Sequence, residues 1–230
     1  MRAILLAAGL GTRLRPITNT VPKCMVPIHG KPLLGYWLDL LFNNGVERIL
    51  INTHYLPAPV CNFVASSIWS SSVDLIHEDH LLGTAGTILK NRAFCADQAL
   101  MVAHADNLTR FRPAEFIAAH VARSPECVMT MMTFDTDAPQ TCGIAEVDAR
   151  GVVQDFHEKV ANPPGTRANA AVYIFEPSVI DYIASLDKDV CDISTEVLPH
   201  FIGKIQTFHN ADYHRDIGTL ESLALAEREF

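Results

Sequence analysis

No cluster of lysine or arginine longer than two residues occurs in the sequence, and its 18 basic residues are outnumbered by 26 acidic ones, a formal net charge of −8. Extended nucleic acids and anionic membranes both draw on a basic face, so neither is an expected partner. Apolar runs near the ~20 residues that span a bilayer are also missing. The apolar start at Met1 is cut by Gly9-Leu10-Gly11-Thr12-Arg13 before a signal-peptide core of ordinary length forms, and reads as a buried first strand of a cytoplasmic protein. The six cysteines contain no C-x-x-C pair, which points to reduced, mostly buried thiols. The ten histidines are scattered except at His77-Glu78-Asp79-His80, which has neither cysteine partners nor the i, i+4 spacing of a helical zinc site. There is no Pro-, Gly- or Ser-rich linker and no repeat, so one domain over residues 1–230, without a C-terminal left-handed β-helix, is expected.

What is present is 49% hydrophobic and rhythmically arranged. Runs rich in Ile, Val and Leu at 3–8, 47–52, 73–77, 99–104 and 127–134 alternate with amphipathic stretches at 32–44, 57–67, 84–94 and 113–123. Apolar strands alternating with helices predict an α/β fold, a three-layer sandwich around a mostly parallel, Rossmann-like mixed sheet. Shorter segments at 143–148, 152–157 and 168–175 predict a β-rich excursion on that sheet, followed by helices at 177–185, 194–202 and 219–227.

Ligands of open α/β sheets sit beyond the carboxyl ends of the strands, and unusual residues follow the apolar runs here: Gly9, Gly11 and Arg13, then Asn52, Glu78 and Gly83, then Asp106. In Leu6-Ala7-Ala8-Gly9-Leu10-Gly11-Thr12-Arg13-Leu14-Arg15-Pro16, glycines allow the backbone close to a phosphate and Arg13 adds a charged fork. A dinucleotide fingerprint would need glycine where Leu14 stands, which argues against a nicotinamide-dependent oxidoreductase, and Gly11-Thr12-Arg13 is not a P-loop. Pro22-Lys23 adds a second cation, so that the loop, Arg13 and Lys23 form a constellation suited to a triphosphate.

This pattern, G-x-G-T-R-x-R-P followed by P-K, resembles the signature of the sugar-1-phosphate nucleotidylyltransferases, and the likeness extends along the whole chain. The resemblance implies that Leu6, Ala8, Gly9, Gly11, Thr12, Glu78, Gly83 and Thr84 bind the nucleotide and that Arg13 and Lys23 are catalytic. It further implies that Asn107, Gly143, Glu158, Lys159, Asn169 and Tyr173 serve the sugar phosphate, and that Asp106 and Asp216, the latter at the entrance of the last helix, hold Mg²⁺. Ala105 and Val160 depart from the residues usual beside these motifs.

The chemistry suits these residue types. A sugar 1-phosphate attacks the α-phosphorus of an NTP and pyrophosphate leaves; the nucleophile, with a second pKa of about 6, needs no general base. Catalysis then rests on juxtaposing two polyanions and stabilising charge on phosphate oxygens. Glu78 falls where the resemblance puts the residue facing the base, and a carboxylate, which only accepts, suits the paired donors of guanine, although uracil and thymine still offer one. Asp192-Ile193-Ser194-Thr195-Glu196-Val197 looks most like guanylyltransferases that use GTP with D-glycero-α-D-manno-heptose 1-phosphate or mannose 1-phosphate in capsule and lipopolysaccharide synthesis. Uridylyl or thymidylyl transfer to a hexose 1-phosphate and a non-catalytic regulatory role are the alternatives, and homodimer formation is left open.

Overall fold

The structure, a computed structural model, describes residues 1–230. Along the chain run β1 (Arg2–Leu6), β2 (Pro27–Ile28), β3 (Lys31–Pro32), α1 (Leu33–Phe42), β4 (Arg48–Thr53), α2 (Pro57–Ser66), β5 (Val73–His77), α3 (Gly83–Lys90) and α4 (Arg92–Cys95). Next come β6 (Leu100–His104), β7 (Asn107–Arg110), α5 (Pro113–Val121), β8 (Met129–Asp135), β9 (Gly143–Val147), β10 (Val153–Glu158) and β11 (Arg167–Phe175). The chain closes with α6 (Pro177–Ser185), β12 (Ile205–His209), β13 (Tyr213–Asp216) and α7 (Leu220–Glu229). Contacts divide it into two compact units, Met1–Leu81 with Ala103–Arg110 and Tyr213–Phe230, and Leu82–Val102 with Phe111–Asp212.

In the first unit β1, β4 and β5 are parallel, with Leu6 beside Asn52 and Thr53 beside His77, so that their carboxyl ends are level. β1 and β4 are buried through their aliphatic side chains, with no accessible surface at Ala3, Ile4, Leu5, Ile49 and Ile51, whereas β5, which carries Asp74 and His77, is only half-buried. A second apolar cluster of Leu14, Val26, Leu33, Leu108 and Ile217 lies under the loop that follows β1. Each such aliphatic side chain stabilises the fold by about 1.5–3 kcal/mol.

The second unit is built on β11, antiparallel to β8 and β9, with β10 antiparallel to β9 and β12 parallel to β8. Met129, Met131, Val172, Ile174, Ile183 and Ile205 are fully buried in it. Four of the cysteines, Cys24, Cys95, Cys127 and Cys191, are buried, Cys142 is half-buried and Cys61 is exposed; all are free thiols. No helix is long and apolar enough to cross a membrane.

Three local expectations are corrected. The helix expected at 84–94 breaks at Asn91, whose side-chain amide donates to the Thr87 carbonyl at 2.8 Å and diverts the chain from the helical ladder. The helix expected at 194–202 is a π-helical turn, Ile193–Val197, followed by a 3-10 turn, Leu198–Phe201, in which Pro199 has no amide hydrogen to give. Asp216 does not open the last helix: it ends β13, and α7 starts only after Thr219, which caps it by accepting from Ser222 N at 3.1 Å.

Candidate active site

The loop after β1 turns at Gly11, whose φ of 62° lies in the left-handed region that favours glycine. A Cβ here would lie 2.9 Å from the Thr18 methyl, while the Thr18 hydroxyl donates to the Gly11 carbonyl at 2.6 Å. This pinning directs Thr12 and Arg13 into a short 3-10 turn and leaves both exposed. The 9–13 loop, Lys23, Leu81, Asp106 and Gly218 line an open cavity.

Lys23 starts the third 3-10 turn of the chain, directly after Pro22, and is buried. Its Nζ donates to Asp106 Oδ2 at 2.6 Å and to Asp216 Oδ1 at 2.8 Å, and Arg13 Nη2 approaches Asp216 Oδ2 at 3.5 Å. Asp106 stands in the turn between β6 and β7, and Asp216 lies opposite Asn107 in the antiparallel β7–β13 ribbon. That ribbon is anchored by Trp37, whose indole donates to the Asn107 carbonyl at 2.8 Å, and by Thr109, whose hydroxyl donates to the Tyr213 carbonyl at 3.0 Å. A Cβ at Gly218 would sit 2.6 Å from Asp216 Oδ2 and 3.0 Å from Arg13 Nη2, so a side chain here would displace these two groups from each other.

The electrostatics follow from this packing. Burial pulls the Lys23 ammonium pKa down, but the two aspartates outweigh it and hold it above the ordinary lysine value. Burial pushes the Asp106 carboxyl up, and Lys23, with help from His104, more than reverses the shift, leaving it below the ordinary value. Two carboxylates converging on one cation form a donor set that fits Mg²⁺, which takes few protein oxygens and fills its shell with water or phosphate; the ammonium stands where such a charge is accommodated.

Around this cluster the first unit gathers Leu6, Ala8, Gly9, Gly11, Thr12, Arg13, Lys23, Asp106, Asn107 and Asp216, with Asn107 buried on β7 beside the carboxylates. Glu78 also belongs to this unit but does not line the cavity: with 1% of its surface accessible, it accepts from Asn52 Nδ2 at 3.0 Å. Asn52 in turn accepts from Ala7 N at 2.7 Å, which ties the start of the glycine loop to β4 and Glu78. Glu78 thus has a structural partner that its position after an apolar run did not reveal.

The second unit holds Gly83, Thr84, Gly143, Glu158, Lys159, Asn169 and Tyr173. Thr84 donates its hydroxyl to Asp192 at 2.8 Å and accepts from Ile193 N at 2.7 Å, and the amides of Ala85 and Gly86 donate to the Cys191 carbonyl at 3.0 and 3.2 Å. The start of α3 is therefore occupied by the 191–193 segment. Glu158 pairs directly with Gly143 across β9–β10 and holds the exposed Lys159 ammonium at 3.0 Å. Asn169 sits at a register break in β11, accepting from Ala171 N at 2.9 Å and donating to the Tyr173 hydroxyl at 2.6 Å. Bulges of this kind re-aim side chains next to active sites. Tyr173 is 1% exposed, and burial pushes its phenol well above the ordinary value.

Known proteins similar to this chain identify its family and fold. The chain is 33% identical over 224 residues to the mannose-1-phosphate guanylyltransferase of Mycobacterium tuberculosis, covering 95% of this chain and 61% of that protein. It is 31% identical over 235 residues to a UTP–glucose-1-phosphate uridylyltransferase of Synechocystis, covering 95% of this chain and 60% of that protein. It therefore spans about three fifths of the length of these relatives. The crystal structure of HddC from Yersinia pseudotuberculosis complexed with GMP-PN superimposes with a TM-score of 0.82 at 27% identity, covering 100% of this chain and 99% of that one, so the α/β architecture expected from the sequence is the one the chain has. The family model for nucleotidyl transferases matches residues 2–230, and the chain belongs to the nucleotidyl transferase family.

Proposed function

We propose that the protein transfers a nucleotidyl group from an NTP to a sugar 1-phosphate, releasing pyrophosphate and forming an NDP-sugar. The observation that carries this reading is the convergence of Asp106 and Asp216 on Lys23, beside a glycine loop that also presents Arg13. A phosphate oxygen of the sugar 1-phosphate forms a bond to the α-phosphorus while the bond to the bridging oxygen of pyrophosphate breaks. No proton has to be removed from the attacking group. The loop amides hold the triphosphate, and the exposed Arg13 beside them stabilises charge that grows on the phosphate oxygens. Mg²⁺ is the cofactor that suits Asp106 and Asp216, and the chemistry it supplies is neutralisation of phosphate charge. In the second unit Glu158, Lys159 and Asn169 serve the sugar phosphate, and Lys159 supplies the counter-charge.

GTP is the preferred donor in this reading. A guanylyltransferase relative and the GMP-PN complex of HddC support it, and Glu78 supplies the acceptor carboxylate. The uridylyltransferase relative, together with the burial of Glu78, keeps UTP as the second reading. For the sugar, the relative favours mannose 1-phosphate, and the likeness of the 192–197 segment favours D-glycero-α-D-manno-heptose 1-phosphate. A pyrophosphate-release screen of the NTPs against a panel of sugar 1-phosphates with Mg²⁺ tests all of this. Release with GTP and one of these two sugars is expected; release with no pair overturns the proposal.

A further inference from the structure

We propose that Lys23 is the positioning residue of the cation site: without metal, its ammonium is the charge that keeps Asp106 and Asp216 converged, and a divalent ion enters only by displacing it. The inference rests on the reading of those two aspartates as the metal ligands. Three observations support it. One ammonium bonds both carboxylates, at 2.6 and 2.8 Å, although the three residues are far apart in the chain. The Lys23 side chain is only 8% accessible, so its position is a buried one and not a chance surface pairing. Its backbone is fixed, with Met25 N donating to the Pro22 carbonyl at 2.8 Å and Val26 N to the Lys23 carbonyl at 3.1 Å, so that only the flexible four-carbon stem is free to swing.

A divalent ion held by both carboxylates would stand where the buried Lys23 ammonium now stands, and the two charges would repel each other at such short range. Lys23 must therefore yield its place when a divalent ion is bound. The cavity it already lines, with the glycine loop on its wall, is where its head group goes. Filling the cation site then also delivers Lys23 to the triphosphate, so that one exchange assembles two parts of the machinery. The competition is reciprocal: whatever Lys23 contributes to holding the aspartates is subtracted from metal affinity in the nucleotide-free protein.

The test uses the full chain without nucleotide and Mn²⁺ as the probe, with free ion read by electron paramagnetic resonance. Lys23→Met should bind Mn²⁺ about tenfold or more tightly than the wild type, within the ordinary range of coupling between sites. Asp106→Asn should bind it more weakly. In the wild type, acetylation of Lys23 read by mass spectrometry should rise several-fold at saturating Mn²⁺ while that of the exposed Lys204 stays constant. A folded Lys23→Met variant that binds no more tightly than wild type overturns the exchange, as does a Lys23 that stays protected in the Mn²⁺-saturated wild type; the labelling alone decides if the variant does not fold. Mn²⁺ binding unaffected by Asp106→Asn overturns instead the assignment of the metal ligands, and the inference with it.

Discussion

The two units handle their polar residues differently. In the first, charged groups face one another: Lys23 is held by Asp106 and Asp216, and Arg13 reaches toward the same Asp216. In the second, most polar groups chosen from the sequence are engaged in shaping the backbone. Thr84 ties α3 to Asp192 and Ile193, Asn169 braces a bulge, and Tyr173 is buried beneath it. Glu158 and Lys159 are the exception, a charged pair whose Glu158 carboxylate, with the Phe156 ring, fills the space that a side chain at Gly143 would need. Under the proposed function this contrast is expected, since organising several negative charges calls for fixed ions and fitting a neutral sugar ring calls for backbone shape. Substitutions in the first unit should accordingly cost catalysis more than fold, and those in the second should do the reverse.

The largest effect is expected at the carboxylates. Asp106→Asn and Asp216→Asn should each lower turnover by on the order of 10³ with the fold intact, because each removes one of the two carboxylates proposed to hold Mg²⁺. Steady-state pyrophosphate release over a range of Mg²⁺ concentrations checks this, and normal turnover by both variants would put the metal site elsewhere. Arg13→Ala comes next. The guanidinium is exposed and has little structural work, so its loss should appear in kcat, by on the order of 10², more than in the nucleotide KM. A variant within about threefold of wild type in kcat would remove Arg13 from the machinery.

How much of this contrast was legible in the sequence depends on the range of the interactions. Hydrophobic period placed β5 at Val73–His77 and α6 at Pro177–Ser185, because each carries a local apolar pattern: a half-buried Val73, Leu75 and Ile76 in β5, and a buried Val179, Ile180 and Ile183 in α6. The β7–β13 ribbon left no such trace. Asn107–Arg110 and Tyr213–Asp216 are short and largely polar, and they pair across about a hundred residues, as the bond from Thr109 to the Tyr213 carbonyl at |i−j| = 104 records. For the same reason Lys23 could be read as a phosphate ligand but not as the partner of two aspartates 83 and 193 positions away. The Asn52 to Glu78 bond was hidden too, since parallel neighbours β4 and β5 bring together side chains that no local pattern links.

Glu78 sharpens the comparison because it belongs to the charged unit yet is built into the structure. Glu78→Gln leaves one acceptor oxygen, which can serve Asn52 Nδ2 or a guanine edge, and turns the other into a donor. A mismatched buried hydrogen bond costs about 1–3 kcal/mol, so a Glu78 whose two oxygens both clamp the structure should show a fall in Tm. If Glu78 also reads the base, kcat/KM for GTP should drop by about one to two orders of magnitude while that for UTP changes less. Measured side by side in wild type and variant, a fall in Tm with an unchanged GTP-to-UTP ratio would make Glu78 a clamp for the glycine loop and leave base choice to other groups.

The smallest effect tests whether the second unit stores its ionisable groups for stability. His120 on α5 is buried, with Nδ1 2.8 Å from the Thr130 hydroxyl and Nε2 3.1 Å from Glu176 Oε1, and Arg123 donates to the same Glu176 oxygen at 2.5 Å. Burial, reinforced by the Arg123 charge, pulls the imidazole below its ordinary value against the opposing influence of Glu176. The unfolded chain therefore binds a proton at this position more readily than the folded one. The resulting stability is fully present above about pH 6.5 and is lost as the pH falls from there toward the lowered folded value. Thermal melts of wild type and His120→Gln at a series of pH values should show the wild type losing Tm more steeply below about pH 6.5, with the variant, which keeps a hydrogen-bonding side chain but cannot titrate, following a flatter course. Parallel slopes would mean that His120 takes up its proton without cost inside the fold and that the acid sensitivity of this unit lies in other groups.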